Sequence, residues 1–234
     1  HLRGRLAIRD LVTEFRRAAD EARAAGAEVL VGVVHSGFDG PTSYDTVSTG
    51  LTSENVAGRL AREVPGLDLL VFGHSHRERN EAVGGTWVLQ PRQWAAQVGV
   101  AHLGLVREGQ GPSGRWRVVA RRGELVPVAG RVEAPAVLAA TEAAHARAVA
   151  YAGSVIGTTP VAWRADSARV TDVALTDLVA EVMRRVGKAD LAATAAFSLD
   201  AGLDSGAITV AELARLYPYE NTLRVVRVTG AQLR

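Results

Sequence analysis

Three histidines stand where the patterning of the chain could concentrate chemistry. His35 closes the apolar run Val29-Leu-Val-Gly-Val-Val34 and is followed at once by Ser36-Gly37. His74 and His76 follow the run Leu67-Asp-Leu-Leu-Val-Phe72 within Gly73-His-Ser-His76. A strand alternates its side chains, so an extended 73–76 segment would turn both imidazoles to one side and Ser75 to the other. Gly73 lets a bulky neighbour approach the backbone there. If the two apolar runs are neighbouring strands, His35 reaches the same crevice beyond their carboxyl ends, where open α/β sheets bind ligands. Neutral imidazole suits zinc, manganese, cobalt or iron, and added carboxylates would complete a centre of two divalent ions.

A single polar residue at a strand end is ordinary and needs no chemistry. The combination of Gly-His-x-His after one apolar strand with His-Ser-Gly after another turns the reading toward metal. The remaining histidines lack such a setting. His1 is terminal, His102 lies in an alternating run and His145 lies on an Ala-rich helix, so each is read as structural or solvated. No Gly-x-Ser-x-Gly, no P-loop and no Gly-x-Gly-x-x-Gly opening a helix competes as a catalytic motif. Lys188, the only lysine, sits beside a helix end with no sign of activation.

The elements that must position these side chains follow from periodicity. Residues 6 to 25 carry apolar residues at helical spacing, ending at Gly26, and predict an amphipathic helix. A buried strand over 28–34 follows and presents His35. Residues 38 to 52, rich in Gly, Pro, Ser, Thr and Asp, predict a surface loop. Ser53 is the expected N-cap of a helix from Glu54 to Glu63, stopped by Pro65-Gly66. A second strand, 67–72, then delivers Gly73-His-Ser-His76.

From Glu81 to Val128 the pattern changes to extended runs at 86–89, 97–106 and 115–119, so the sheet is expected to become mixed. Residues 133 to 151 predict one long Ala-rich helix. Beyond Gly153 a second α/β rhythm begins: a strand at 155–161, a helix at 171–186, a short extended run at 190–195, a helix at 210–216 and a strand at 223–228. The expected organisation is therefore residues 1–132, a linking helix 133–152, and a second domain 153–234.

Composition narrows the classes. With 234 residues and 47% hydrophobic content the chain can bury one large core or two modest ones. The 27 basic and 25 acidic residues nearly cancel, leaving a net charge of +2, so no long-range pull on a nucleic-acid polymer is expected. The absence of cysteine excludes disulfides, thiolate zinc sites and cysteine nucleophiles. No apolar run reaches the roughly 18–20 residues that span a bilayer. The chain opens at His1 without Met and stops at Arg234 within an element, so it is expected to be truncated at both ends.

Three segments in order, Val33-Val-His-Ser-Gly37, Glu54-Asn-Val-Ala-Gly-Arg-Leu-Ala61 and Pro65-Gly-Leu-Asp-Leu-Leu-Val-Phe-Gly-His-Ser-His76, resemble the second half of a metallophosphoesterase domain. The family is that of the 5'-nucleotidases and 2',3'-cyclic-nucleotide 2'-phosphodiesterase/3'-nucleotidases. Residues 155–234, above all Leu216-Tyr-Pro-Tyr-Glu-Asn-Thr-Leu-Arg-Val-Val-Arg-Val-Thr-Gly-Ala-Gln232, resemble the same family's C-terminal nucleotide-binding domain. The wording Tyr-Pro-Tyr-x-Asn-Thr-Leu is closer to the cyclic-nucleotide branch.

The resemblance implies a mixed α/β (α+β) fold: the C-terminal half of a metallophosphoesterase β-sandwich with flanking helices, a long linking helix, and part of a second α/β domain. It implies hydrolysis of nucleotide phosphate esters at two divalent ions, His35 and His74 holding one and His76 the other. Tyr219 then matches the aromatic that stacks on the base and Asn221 the polar neighbour that contacts it; as a plain structural feature, Tyr217 and Tyr219 would be packing at a strand entry. Secretion, a periplasmic location or attachment to the cell wall is implied as well.

Two departures limit the carry-over. The family's Asp-x-His, Gly-Asp and Gly-Asn-His-Asp/Glu motifs do not occur here, so the catalytic residues are expected upstream of His1 and the fragment by itself is expected to be inactive. The Gly-Gly-x-Arg segment near the phosphate is replaced by Phe197-Ser-Leu-Asp-Ala-Gly-Leu-Asp204. Two alternatives stay open at this level: a relative acting on a non-nucleotide or sulfur substrate, and a non-catalytic nucleotide-binding or surface protein that keeps the fold.

Overall fold

A computed structural model describes residues 7–111, 114–196 and 198–233. His1, Leu6, Phe197 and Arg234, which entered the sequence reading, lie outside the described residues. The chain divides into two compact units, His1–Val132 and Glu133–Arg234.

The first unit opens with helix α1 (Leu11–Ala24). It starts later than periodicity predicts because Asp10 is extended and its carboxylate accepts the Thr13 N–H at 2.9 Å, a side-chain N-cap. Strand β1 (Val31–Val34), the short helix α2 (Thr46–Thr49), helix α3 (Ala57–Glu63) and strand β2 (Leu69–Phe72) follow. Strands β3 (Arg79–Val83) and β4 (Thr86–Gln90) form a hairpin. Its two-residue turn, Gly84-Gly85, has φ 58° and 91°, the left-handed backbone that such hairpins favour and that glycine adopts without a Cβ penalty. A long hairpin of β5 (Gln97–Glu108) and β6 (Arg115–Pro127) completes the unit.

The central sheet runs β1-β2-β4-β3. Pairs β1/β2 and β2/β4 are parallel and β4/β3 is antiparallel, which is the mixed sheet expected from the change of pattern after residue 81. Its core joins Val12 and Ala19 of α1, Val56, Ala57, Leu60 and Ala61 around α3, and Leu70, Phe72 and Val88 of the sheet. A Cβ at Gly32 would stand 2.5 Å from Phe15 Cζ, so glycine at that point of β1 lets α1 lie flat on the sheet.

Two expectations change here. Strand β1 is not buried on both faces: Val31 is 51% and Val33 76% exposed, because only the Gly32 and Val34 side meets the helices. Helix α3 begins at Ala57 rather than Glu54, and its N-cap, Val56, makes no side-chain bond. The loop after β1 supplies the missing partners instead. Val56 N–H donates to Ser36 Oγ at 2.9 Å, Ala57 N–H to Gly37 O at 3.0 Å and Gly58 N–H to Phe38 O at 2.7 Å, so the free donors at the helix start are satisfied from a distance in sequence. Ser53 Oγ accepts from Asn55 N–H instead.

The second unit holds α4 (Pro135–Ala152), β7 (Val155–Thr159), β8 (Trp163–Arg164), α5 (Ala174–Gly187), β9 (Gly202–Leu203), β10 (Gly206–Thr209), α6 (Val210–Leu216) and α7 (Gly230–Leu233). Two antiparallel pairs, β7/β10 and β8/β9, form its sheets. A small core of Ala165, Leu175 and Leu203 is packed by Trp163, Leu178, Ile208 and Leu216. Helix α6 carries a full capping box between Thr209 and Glu212. Lys188 caps α5 in the left-handed conformation, φ 51°.

The expected extended runs at 190–195 and 223–228 have no regular structure. A strand exists only through a paired neighbour, and apolar β-branched composition does not supply one. Residues 223–225 lie instead against the end of α5, with Val225 Cγ2 3.1 Å from the position a Cβ would take on Gly187.

Candidate functional site

The register of the parallel pair sets the geometry. Val34 is the partner of Phe72, so His35 and Gly73 leave the carboxyl ends of β1 and β2 side by side, and His74 is one residue further. His35 Nε2 and His74 Nδ1 stand 3.3 Å apart, with the two rings edge to face at 5.1 Å between centroids. Glu54, on the segment leading into α3, brings Oε2 to 3.7 Å from the other nitrogen of the same ring, His74 Nε2. The site is thus His35 and His74 facing each other, with a carboxylate behind His74.

The backbone that presents His74 is not extended, contrary to the alternation argument. His74 has φ 70° and His76 φ 55°, and Ser75 N–H donates to Gly73 O at 2.8 Å. A two-residue hydrogen bond around a central residue at positive φ is a tight and strained γ-turn, uncommon outside functional segments. Ser75 is held by Gln90, whose amide exchanges two bonds with Ser75 Oγ at 3.0 and 3.1 Å. Gln90 is buried at the end of β4, so the adjacent strand anchors the turn.

His76 takes a different direction, its ring 6.5 Å from the exposed Trp94 ring. Among the described residues no group of three or more His, Asp or Glu side chains is disposed to hold one ion. Gly73 is not required by space, since a Cβ there would meet only His35 Nδ1 at 3.9 Å. Gly37 is the tight one: a Cβ would come 2.0 Å from Asn55 Oδ1, so the chain after His35 passes directly against the segment that carries Glu54.

Burial and hydrogen bonding hold that segment in place. Ser36 is fully buried, and its Oγ donates to Glu54 O at 2.6 Å while accepting from Val56 N–H. Glu54 Oε1 accepts the Ser43 N–H at 2.7 Å. The Ser43 N–H, then the Ser43 hydroxyl, then the positive charge that His74 can carry hold the Glu54 carboxyl below the usual carboxylate range. Sequence reasoning took Glu54 as the start of a helix and gave Ser36 no role. The available signal was an acidic residue between two histidine-bearing strands, but only the fold brings it to His74.

The other sequence-level candidates fall elsewhere. His102 faces Glu124 across the β5/β6 hairpin at 3.4 Å, and His145 is exposed on α4. Tyr219 and Asn221 lie in the second unit on the irregular stretch after α6, where Asn221 N–H donates to Tyr219 O at 3.0 Å and Asn221 Nδ2 to the Tyr217 hydroxyl at 3.4 Å. No strand begins there, so entry into a strand does not account for the two tyrosines.

Comparison with known proteins gives this geometry a context. Residues 155–234 match the family model of the 5'-nucleotidase C-terminal domain. Over its full length the chain is 27% identical to the 2',3'-cyclic-nucleotide 2'-phosphodiesterase/3'-nucleotidase of Haemophilus influenzae, covering 40% of that protein. The chain is thus similar to part of these nucleotide phosphoesterases. It is also 22% identical, again over its full length, to the trifunctional nucleotide phosphoesterase protein YfkN of Bacillus subtilis (strain 168), of which it covers 18%. It therefore spans less than half the length of either relative. Among solved structures, a Staphylococcus aureus protein described as a 5'-nucleotidase superposes with a TM-score of 0.70 at 22% identity, over 92% of this chain and 41% of that one. The mixed α/β fold class expected from the sequence holds, and the fold is that of the 5'-nucleotidases.

Proposed function

We propose that this chain supplies the histidine side of a two-metal phosphoesterase centre, in a protein that hydrolyses nucleotide phosphate esters to nucleosides and phosphate. The observation that carries the reading is the 3.3 Å separation of His35 Nε2 and His74 Nδ1 at the carboxyl ends of two parallel strands. Two nitrogens bound to one tetrahedral ion at about 2.0–2.1 Å stand about 3.3–3.4 Å from each other, so the pair fits a shared ion. The same spacing also suits a direct N–H···N bond between the two rings, the donor being set by the tautomer.

In this reading His35 and His74 hold one ion. His76, on the same turn, serves a second, and the carboxylate and Asn ligands come from the family's upstream motifs. When bound, two such ions lower the pKa of a water and neutralise the phosphate oxygens. The contribution of this chain is positional: a strained turn pinned by Gln90 and a loop pinned by Ser36 hold the imidazoles without reorganisation. Tyr219 stacks on the base and Asn221 contacts its edge, with helix 133–152 linking that domain to the metal domain. The nucleotide names of the relatives support this substrate class, and the family points to a secreted, periplasmic or wall-attached enzyme. Among the described residues no helix is long and apolar enough to cross a membrane.

Two measurements test the proposal. Calorimetric titration of the chain with zinc or manganese should give binding that weakens at least tenfold in His35→Ala and in His74→Ala. A chain extended to include the upstream motifs should release phosphate from 5'-nucleotides, 3'-nucleotides or, after ring opening, 2',3'-cyclic nucleotides, and should stop when the metal is chelated. Metal binding indifferent to both histidines, or an extended and metal-loaded chain inert toward all three substrate types, overturns it.

A further inference from the structure

We infer that Glu54 is a positioning residue for His74: its carboxylate faces the Nε2 edge of that ring, favours hydrogen on Nε2, and so leaves the Nδ1 lone pair aimed at the point His35 also faces. The inference rests on the metal-site reading above and concerns a residue to which that reading gives no role. An imidazole has two nitrogens, and here each has its own partner. Nδ1 stands 3.3 Å from His35 Nε2, and Nε2 stands 3.7 Å from Glu54 Oε2. The two nitrogens point to different sides of the ring, so Glu54 lies behind His74 and does not reach the point the two histidines share. It acts through the ring rather than on the ion.

A neutral imidazole carries a single N–H, and a carboxylate is an acceptor only. A carboxylate facing Nε2 therefore selects the tautomer with hydrogen on Nε2 and leaves Nδ1 free to accept or ligate, the arrangement by which an outer carboxylate orients a ligating histidine. With that tautomer Nδ1 can only accept, and the His35 Nε2–H would be the donor of the 3.3 Å contact.

Glu54 is built to hold this position. Its Oε1 is tied to the Ser43 N–H, its carbonyl accepts from the buried Ser36 hydroxyl, and Asn55 Nδ2 donates to Pro41 O at 2.7 Å. The Tyr44 hydroxyl donates to Thr52 O at 2.5 Å and closes the same loop. The 38–52 loop, polar and without chemistry of its own, thus serves as the support of the carboxylate. Both side chains are partly shielded, Glu54 at 24% and His74 at 34% exposure.

The test uses the 234-residue chain, zinc as the only added ligand, and nitrogen NMR of the histidine rings. In the wild type, His74 is expected in the Nε2–H form. Glu54→Ala is expected to mix the tautomers and to weaken zinc binding about 10–100-fold, the range for loss of an outer partner. Glu54→Gln has a single oxygen, which the Ser43 N–H holds, and turns its NH2 toward Nε2, so it is expected to lose the Nε2–H form and to weaken zinc binding while the loop stays in place. Amide spectra of Glu54→Gln check that the fold is intact. Wild-type zinc affinity and an unchanged tautomer in Glu54→Ala, while His74→Ala still weakens binding, overturn the role of Glu54 and leave the metal site standing. Zinc binding unaffected by His35→Ala and His74→Ala overturns the metal site itself, and this inference with it.

Discussion

Ser36 shows how a residue without reactive chemistry governs a site. It follows an exposed histidine yet is itself fully buried, and its one hydroxyl joins Glu54 O to Val56 N–H. Removing the hydroxyl strands the buried Val56 N–H and takes its donor from the part-buried Glu54 carbonyl. Leaving buried groups unpaired costs about 1–3 kcal/mol, so Ser36→Ala should lower the unfolding free energy by about that amount in urea titrations. It should also loosen Glu54, seen as broadened amide signals over residues 53–56. A change below about 0.3 kcal/mol, smaller than that cost by several-fold, would show that the two groups find other partners. His74 carries the opposite kind of signal. Its positive φ is a local cost that the Ser75–Gln90 bonds hold in place, and strain of this kind persists where surrounding structure over-determines it.

At the scale of elements, the helices divide by how their ends are satisfied. Helices α1 and α6 carry their own caps, Asp10 and the Thr209–Glu212 box, and their starts follow from local sequence. Helix α3 takes its caps from the loop after β1 and could not form alone. Helix α5 is tuned at its other end by charge. Arg184 and then Arg185 draw the Glu181 carboxyl from its ordinary 4.5 to about 2. Its folded pKa lies below its unfolded value, so the stabilisation is fully present above about pH 4.5 and is lost as the pH falls toward 2. These groups are exposed, so the effect on stability is small. A carbon NMR titration should place the Glu181 midpoint near 2, and Glu181→Gln should flatten the pH dependence of α5 helicity over that window. A midpoint near 4.5 would show that the arginines are solvated rather than paired.

At the scale of the molecule, two units with separate cores meet the chain at Val132/Glu133. Val132 is 97% exposed, and the neighbouring residues 129–134 are exposed and outside helix or strand. Exposed irregular segments are where proteases cut folded chains first. Brief trypsin treatment should therefore cleave after Arg131 and release two resistant pieces, identifiable by mass. Early cleavage within the β5/β6 hairpin or α1 would show that the segment 129–134 is protected.

What the amino-acid order determined by itself was local and periodic. It placed α1, β2, β4, α4 and α6 within a few residues, marked the change to a mixed sheet, and singled out His35, His74 and His76, because helical and strand periodicity and strand-end residues are properties of neighbours in sequence. What only the tertiary structure decided was every relation between distant segments. It set the parallel register that puts His35 against His74, sent His76 toward Trp94, made Ser36 the cap of α3, and brought Glu54 behind His74. It also left the β-rich run at 223–228 unpaired, since a strand is made by its partner rather than by its composition. Hydrogen-bond partners far apart in sequence satisfy groups whose local alternatives look equally good, and no periodicity records which of them is chosen.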